Sequence, residues 1–136
     1  MRKVLITLAG LGVLAACMEA EMPQAADGRA IYLENCSVCH GVLGRGDGAM
    51  AGDLSKAPAD LTTIALRSGG SFPRAAILST IDGYAKSGRG THAMPEFGAV
   101  LEGDLIPFDS GDGIQTPTPR RLVALVEYLE SIQASQ

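Results

Sequence analysis

Two cysteines and a histidine stand together in Cys36-Ser37-Val38-Cys39-His40, and their spacing has a chemical meaning. Cysteines three positions apart in a helical turn present both sulfurs on one side of the chain, where they can form thioether bonds with the two vinyl groups of one haem. A histidine that follows at once is placed to ligate the haem iron. The motif predicts one covalent haem c attached through Cys36 and Cys39, with His40 as an axial iron ligand.

Three other uses of such a motif have to be compared with haem attachment. A thioredoxin-like dithiol requires a βαβ pattern, which the sequence does not show. A zinc site requires four ligands, and His92 is the one further plausible donor. A structural disulfide between the cysteines would leave His40 without a role. Haem attachment accounts for all three residues.

The sixth iron ligand is expected downstream, in the segment 91–98. We predict Met94, because its thioether sulfur is a soft ligand that favours Fe(II), and because the proline that follows restricts its backbone. His92 is the alternative, since haems with two histidine ligands exist. A further alternative is that Met50 is the sixth ligand or that the iron has no sixth ligand. Otherwise Met50, like Met22, is predicted to pack in the core.

The N-terminus is typical of an export signal. Arg2 and Lys3 precede an apolar run over residues 4–16. A positive start followed by a short apolar stretch is the pattern of a signal peptide. The run is shorter than the roughly 20 apolar residues of a membrane span. We predict a signal peptide over residues 1–16.

The end of this signal resembles a bacterial lipobox, Leu-Ala-Ala-Cys at residues 14–17. In such a sequence the cysteine is lipidated and becomes the new N-terminus. We predict a lipidated Cys17, a tether over residues 17–26 and a haem domain over residues 27–136. The alternative is ordinary cleavage that releases a soluble periplasmic product. With Cys17 bound to lipid and the other two cysteines bound to haem, all three cysteines of the chain are used.

Length and composition exclude several classes of function. With 136 residues the chain is expected to form one domain. Acidic residues outnumber basic ones by 15 to 11, giving a net charge of −4, which argues against nucleic-acid binding. The hydrophobic content of 46% argues against disorder. Three Tyr, three Phe and no Trp make a thin core, which a bulky apolar cofactor would help to fill.

Short helices joined by glycine-rich loops are predicted along the chain. The first helix is expected to start at Asp27 as its cap. Further helices are expected over residues 60–67 and over residues 71–81. In the last helix, Thr118 is the predicted cap and Pro119 the first helical residue. No segment alternates with period two for long, so no sheet is predicted.

These features resemble the class I c-type cytochromes over about residues 27–133. The haem motif near the start, the Met-Pro toward the end and the two terminal helices carry the resemblance. Residues 40–48, with their G-x-G-D-G loop, and residues 58–62 are similar to bacterial monohaem cytochromes. The resemblance implies an all-α fold of short helices and long loops around one haem, in which the N- and C-terminal helices cross.

The resemblance also implies specific contacts between the terminal helices. Gly28 and Tyr32 would meet the last helix near Leu125 and Tyr128, and the bare glycine would let the two backbones approach closely.

Two departures from the family pattern concern loops. The family often has a proline soon after the glycine loop, near a carbonyl that accepts from the axial histidine, but here Ala49 stands in that place. The group that accepts a hydrogen bond from His40 Nδ1 is therefore unassigned. The segment 99–116 is longer and more acidic than usual, with Glu102, Asp104, Asp109 and Asp112. We predict a solvated surface loop there, and as an alternative a docking surface for a basic partner. A calcium site is less consistent, because the spacing lacks the regular ligands of an EF-hand loop.

The predicted function is one-electron transfer by a His/Met-ligated haem c, without substrate chemistry and so without enzyme activity of its own. Its partners would be a redox donor and acceptor with basic docking surfaces, because the chain is acidic. Its location would be periplasmic, lipid-anchored to a bacterial membrane through Cys17. Two alternatives are a relay subunit of a larger oxidoreductase complex and a haem-based ligand binder or sensor.

Overall fold

The computed structural model describes residues 21–84 and 94–134. The helices of these ranges are α1 (Ala25–Asn35), α2 (Ser37–His40), α3 (Ile64–Arg67), α4 (Arg74–Asp82) and α5 (Arg120–Ser131). Short 3-10 turns lie at Ala51–Asp53, Leu61–Thr63 and Ala99–Leu101. Two strands, β1 (Leu105–Asp109) and β2 (Gln115–Pro119), form an antiparallel hairpin. The fold is therefore helix-rich but not all-α.

The first and last helices pack against each other at a point where no side chain separates them. A Cβ atom on Gly28 would lie 1.9 Å from the carbonyl oxygen of Ala124, so only glycine allows this approach. One turn later the Tyr32 and Tyr128 rings lie with their centroids 5.2 Å apart. The predicted contact between the terminal helices is confirmed.

Helix α5 supplies most of the hydrophobic core. Its buried residues are Leu122, Val123, Ala124, Leu125, Val126, Tyr128 and Leu129. The buried hydrophobic residues that other elements contribute are Tyr32, Ile64, Ile81, Leu101, Ile106 and Phe108. Because hydrophobic burial is the main favourable term in folding, this helix is the element on which the others assemble.

The N-terminus of α1 differs from the sequence prediction. The helix begins at Ala25, with Gln24 as its cap, and Asp27 occupies the third helical position. The Asp27 carboxylate accepts a hydrogen bond of 3.0 Å from the backbone N–H of Gln24. Asp27 thus satisfies a free amide from inside the first turn, as the acidic member of a capping box, and is not the cap.

The predicted helix over residues 60–67 is present as a 3-10 turn followed by α3. The predicted helix over residues 71–81 begins later, since Pro73 is the cap of α4 and Ser71 lies outside it. Its end matches the expectation, because Gly83 follows Asp82 with φ +102. Glycine adopts this left-handed conformation without the steric cost that a Cβ atom brings.

The hairpin overturns the prediction that residues 99–116 form a solvated loop and that no sheet exists. Ile106 and Phe108 alternate with exposed residues along β1 and are both 3% exposed. Thr118 is buried in β2, where its hydroxyl donates to the carbonyl of Thr116. It therefore does not cap α5, which begins at Arg120 with Pro119 before it. Only two buried residues alternate with exposed ones in β1, which is too few to be recognised as a strand pattern in the sequence.

Three prolines in the hairpin obscured its strands. Pro107 lies opposite Pro117, and Leu105 lies opposite Pro119. A proline has no N–H, so these must be the positions whose amide would point away from the partner strand. The missing N–H groups then lie at the outer edges, where they hinder pairing with a further strand. The prolines are compatible with this hairpin but would exclude a central strand.

One arginine joins the hairpin to two helices. In α4, the Arg74 side chain donates to the Glu130 carboxylate at 2.7 Å and lies 3.4 Å from that of Glu127, both in α5. Its guanidinium carbon lies 5.5 Å from the centre of the Phe108 ring. These contacts fix the hairpin relative to α4 and α5. No helix within residues 21–84 and 94–134 is long and apolar enough to cross a membrane.

Candidate haem site

The cysteine-histidine motif occupies a single helical turn that follows α1 directly. The Cys36 amide donates to the Tyr32 carbonyl at 2.9 Å, which continues the first helix. The His40 amide then donates to the Cys36 carbonyl, also at 2.9 Å. Both Cys36 and Cys39 are half-buried free thiols, so no disulfide joins them. Two thiols and an imidazole are thus held one turn apart by the end of a core helix.

Burial affects one of these thiols directly. Cys36 packs against the hydrophobic core, and desolvation there, with a smaller effect of the nearby Cys39, raises the pKa of Cys36 to about 11. At neutral pH this side chain is the uncharged thiol. Because the buried thiol is neutral, its burial carries no charge penalty.

The glycine loop after the motif donates hydrogen bonds to the last carbonyls of the helical turn that carries the motif. The last carbonyls of a helix have no partner within the helix itself. Here the amides of Gly46, Gly48 and Met50 donate to the carbonyls of His40, Cys39 and Val38 at 2.8, 3.1 and 2.9 Å.

The last glycine of the G-x-G-D-G loop makes that approach sterically possible. A Cβ atom on Gly48 would lie 2.4 Å from the Val38 carbonyl oxygen and 2.6 Å from that of Cys39. The G-x-G-D-G pattern is therefore the structural support of the haem motif.

Tyr32 anchors the same loop from the core. Its side chain is completely buried, and its hydroxyl donates to the Gly41 carbonyl at 2.5 Å. Desolvation, which exceeds the effects of the neighbouring Cys36, Tyr128 and Asp47, raises the pKa of Tyr32, so that it donates as a neutral phenol at any ordinary pH. The residue after His40 is thereby tied to the interface of α1 and α5.

His40, the predicted axial ligand, has a partner that the sequence did not reveal. Its Nδ1 atom lies 3.0 Å from the backbone oxygen of Ala59. A carbonyl can only accept, so Nδ1 is the donor in this contact. Nε2 is the ring nitrogen that remains for a metal. The sequence left this partner unassigned, because a backbone carbonyl has no side-chain signal to identify it.

The segment that begins with Met94 is attached to the end of α4. The amides of Phe97 and Gly98 donate to the Ile81 and Asp82 carbonyls at 2.9 and 3.3 Å. Met94 is half-buried and packs against the core. The terminal carbonyls of a second helix are thus satisfied by the loop that carries the second predicted ligand.

The remaining sequence candidates divide into two groups. Met50 and Met22 are 46% and 42% exposed, so the prediction that they pack in the core is wrong. Cys17 and His92 lie outside the described residues. Within residues 21–84 and 94–134, no three His, Cys, Asp or Glu side chains are grouped to hold a metal ion.

The residues present fit a haem. A set of hydrophobic residues packs against the core and yet stays half-exposed, as the edge of a large apolar ligand site would. This set is Ile31, Leu33, Cys36, Leu61, Phe72, Ile77, Leu78, Met94, Phe97 and Ile132. One of the two free thiols, Cys36, belongs to this set, and Cys39 and His40 follow it within the same helical turn. This donor set matches the covalent and axial bonds of a haem c.

Comparison with known proteins agrees with this chemistry. The family model described as cytochrome C oxidase, cbb3-type, subunit III matches residues 23–106, which is more than half of the chain. The chain belongs to this family of c-type cytochromes. As a c-type cytochrome it carries covalently bound haem c with its iron. No curated protein and no solved structure gives a significant match. The cytochrome match covers the haem motif, the glycine loop and Met94, and it ends inside β1.

Proposed function

We propose that this cytochrome transfers single electrons through a haem attached by thioether bonds to Cys36 and Cys39 and ligated by His40 and Met94. The observation that carries the proposal is the 3.0 Å contact between His40 Nδ1 and the Ala59 oxygen, beside two free thiols. It leaves Nε2 available for iron. When bound, haem iron supplies a one-electron couple, so no proton or atom has to be transferred to a substrate.

Each residue has a separate role in this proposal. Cys36 and Cys39 prevent loss of the haem, which matters for a protein exported into a dilute compartment. His40 is oriented by its backbone partner. Met94 supplies a soft sulfur, which favours Fe(II) and raises the reduction potential. The half-buried hydrophobic residues exclude water, which limits reorganisation of the site when the charge on iron changes.

The proposed location is the periplasmic side of a bacterial membrane. Residues 1–16 would be removed as a signal, and a lipid on Cys17 would anchor the protein through the tether over residues 17–26. Mass spectrometry of the mature protein tests this directly. A mass that corresponds to a diacylated N-terminal cysteine supports the anchor, whereas Cys17→Ser should release an unlipidated protein.

A relay subunit of a larger oxidase is the second candidate function. The description of the matched family, subunit III of a cbb3-type oxidase, favours it. In that case the haem is a fixed relay station in a complex and not a diffusing carrier. Gentle extraction of membranes followed by affinity purification of the cytochrome separates the two, because a stable complex with a catalytic subunit occurs only for the relay.

The proposed partner has a basic docking surface. The chain has a net charge of −4, and the segment 99–119 contains Glu102, Asp104, Asp109 and Asp112 but no Lys or Arg. Opposite charges accelerate encounter, and salt screens them. We expect electron transfer to slow as ionic strength rises, and to slow several-fold in the double variant Glu102→Lys/Asp104→Lys. Unchanged rates would exclude this segment as the docking surface.

The first experiment is an absorption spectrum of the periplasmically matured protein, oxidised and reduced. A weak long-wavelength band in the oxidised spectrum, which marks methionine sulfur on ferric iron, supports His40 and Met94 as ligands. Met94→Ala should abolish this band, and the matched control Met50→Ala should retain it. A low-spin haem without the band would indicate His92, and a high-spin haem would indicate a ligand binder or sensor.

A further inference from the structure

The carbonyl that accepts from His40 belongs to a residue that cannot hold it in place. Ala59 is exposed, and its side chain is a single methyl group. The direction of its carbonyl is set by the peptide group that joins it to Asp60. The contact of 3.0 Å to His40 Nδ1 therefore depends on whatever fixes Asp60.

Hydrogen bonds hold both the carboxylate and the backbone carbonyl of Asp60 in place. Its carboxylate accepts from the Thr62 amide at 2.8 Å and from the Thr62 hydroxyl at 2.6 Å, as the cap of the following 3-10 turn. Its backbone carbonyl accepts from the Arg67 guanidinium at 2.8 Å and from the Thr63 hydroxyl. The side chain and main chain of one residue are thus both held.

The same segment is docked against the glycine loop. A Cβ atom on Gly46 would lie 2.4 Å from the Pro58 carbonyl oxygen, so the two backbones touch. Next to this contact the Leu61 amide donates to the Gly44 carbonyl at 2.6 Å. The Gly46 amide itself donates to the His40 carbonyl at 2.8 Å. The contact between the two backbones holds the segment near His40. The hydrogen bonds of the Asp60 cap set the direction of the Ala59 carbonyl.

We propose that Asp60 is a positioning residue for the haem iron, which acts through the Ala59 carbonyl on the Nδ1–H of His40. The proposal rests on His40 being an axial ligand. A well-placed acceptor at Nδ1 draws the proton away from the ring, which makes Nε2 a stronger donor and favours Fe(III). Asp60 therefore lowers the reduction potential of the haem by keeping this hydrogen bond short.

The test compares three variants of the haem-loaded protein. Asp60→Ala removes the cap, Asp60→Asn retains an oxygen that can accept from Thr62, and Asp53→Ala removes a carboxylate from the neighbouring 3-10 turn. The direct readout is exchange of the His40 Nδ1 proton with solvent, measured by NMR. We expect exchange to be about tenfold faster in Asp60→Ala and within about twofold of wild type in the other two variants.

Reduction potentials give the second readout. Relative to Asp53→Ala, Asp60→Ala should shift the reduction equilibrium about threefold toward Fe(II), which is roughly 28 mV at 59 mV per tenfold for a one-electron couple. If Asp60→Asn and Asp60→Ala raise the potential equally and leave proton exchange unchanged, the effect is the charge of Asp60 and the proposal is wrong. If Asp60→Ala does not fold, Thr62→Val is used, where unchanged exchange contradicts the proposal and faster exchange supports it.

The wild-type spectrum separates this proposal from the one on which it rests. An axial histidine shows a ring N–H resonance shifted by the paramagnetic ferric iron. If wild-type His40 shows no such shift, the ligation itself is wrong. If the shift is present and Asp60→Ala leaves the exchange unaltered, only the positioning role of Asp60 is wrong.

Discussion

The tripeptide Gly-Asp-Gly occurs twice in this chain, and the two copies have different roles. At residues 46–48 both glycines touch backbone carbonyls of other segments, those of Pro58, Val38 and Cys39. At residues 111–113 nothing lies within 4 Å of a Cβ atom on either glycine. The first copy supports the haem motif, and the second is the turn between β1 and β2.

The hydrogen bonds of the two copies differ in the same way. The amides of Gly46 and Gly48 donate to carbonyls of the preceding helical turn, whose end would otherwise be unsatisfied. The amides of Gly111 and Gly113 donate to the carboxylate of Asp109, within the turn itself. An identical tripeptide is therefore part of the site in one place and a local connection in the other. The difference lies in what packs against it.

The largest expected effect comes from alanine at matched glycines of the two copies. Gly46 and Gly113 have nearly the same backbone angle, with φ +80 and +79, so alanine brings the same backbone strain of about 1 kcal/mol to both. At Gly46 the added Cβ atom also meets the Pro58 carbonyl, which raises the loss of unfolding free energy to about 3 kcal/mol. Urea denaturation of both haem-loaded variants measures this. Equal losses would show that the loop is not a tightly packed support.

The second prediction concerns close approach without backbone strain. Gly48→Ala places a Cβ atom against the Val38 and Cys39 carbonyls and should cost about 2 kcal/mol and reduce haem incorporation. Gly52→Ala is the matched control, because nothing lies within 4 Å of that Cβ position. It should change stability by less than about 0.5 kcal/mol. The yield of covalent haem per polypeptide is the second measurement, and a normal yield in Gly48→Ala would contradict the predicted support of the motif.

A smaller effect is expected from the phenol that anchors the loop. Tyr32→Phe keeps the buried ring and removes the hydrogen bond to the Gly41 carbonyl, at a cost of about 1 kcal/mol. Thr80→Val removes an exposed hydrogen bond to the Ala76 carbonyl within α4 and should cost less than about 0.5 kcal/mol. Thermal unfolding compares them. If both variants lose the same unfolding free energy, the hydrogen bond from Tyr32 to the loop stabilises the protein no more than an exposed one.

The smallest effect concerns acid stability. Hydrogen bonds from Thr62 lower the pKa of Asp60, and those from the Gly111 and Gly113 amides lower the pKa of Asp109. A folded-state pKa below the unfolded value stabilises the protein above that unfolded value, and the gain is lost as the pH falls through the folded pKa.

Asp60→Asn and Asp109→Asn should therefore each reduce the difference in stability between pH 7 and a pH well below the usual carboxyl pKa of 3.8. Because neither residue is buried, we expect small changes. Carbon-detected NMR titration checks the pKa of each. A normal pKa for Asp60 would contradict the capping hydrogen bonds that hold it. The pKa of Asp109 should be the same with or without haem.

The prediction that the chain has no sheet was wrong for reasons that are local in the sequence. Only Ile106 and Phe108 alternate on the buried side of β1, and prolines interrupt both strands. Short alternation and proline each argue against a strand. Its stability comes from burial of Phe108 beside Arg74, an arrangement that involves residues 34 positions apart. Three helix starts were misplaced. Asp27 lies inside the first turn of α1, and α4 and α5 are preceded by prolines, whose side chains cannot accept from a backbone amide.

The candidate site was far better determined by the sequence, because haem attachment depends on residue type at fixed spacing. The motif at residues 36–40 specifies its chemistry wherever it lies in a fold, and the contact between Gly28 and the last helix also follows from residue type. The family match confirms the class of protein and its cofactor. Attachment through these particular residues, and ligation by Met94, stay predictions.

The sequence by itself determined the chemistry, since thiols, imidazole and thioether are properties of side chains and their spacing. Only the tertiary structure decided how His40 is oriented, because its partner is the backbone carbonyl of Ala59, a group that every residue has. The same holds for the two Gly-Asp-Gly copies, whose letters are identical. Backbone groups carry no sequence signal, so their pairing over long distances becomes visible only once the chain is folded.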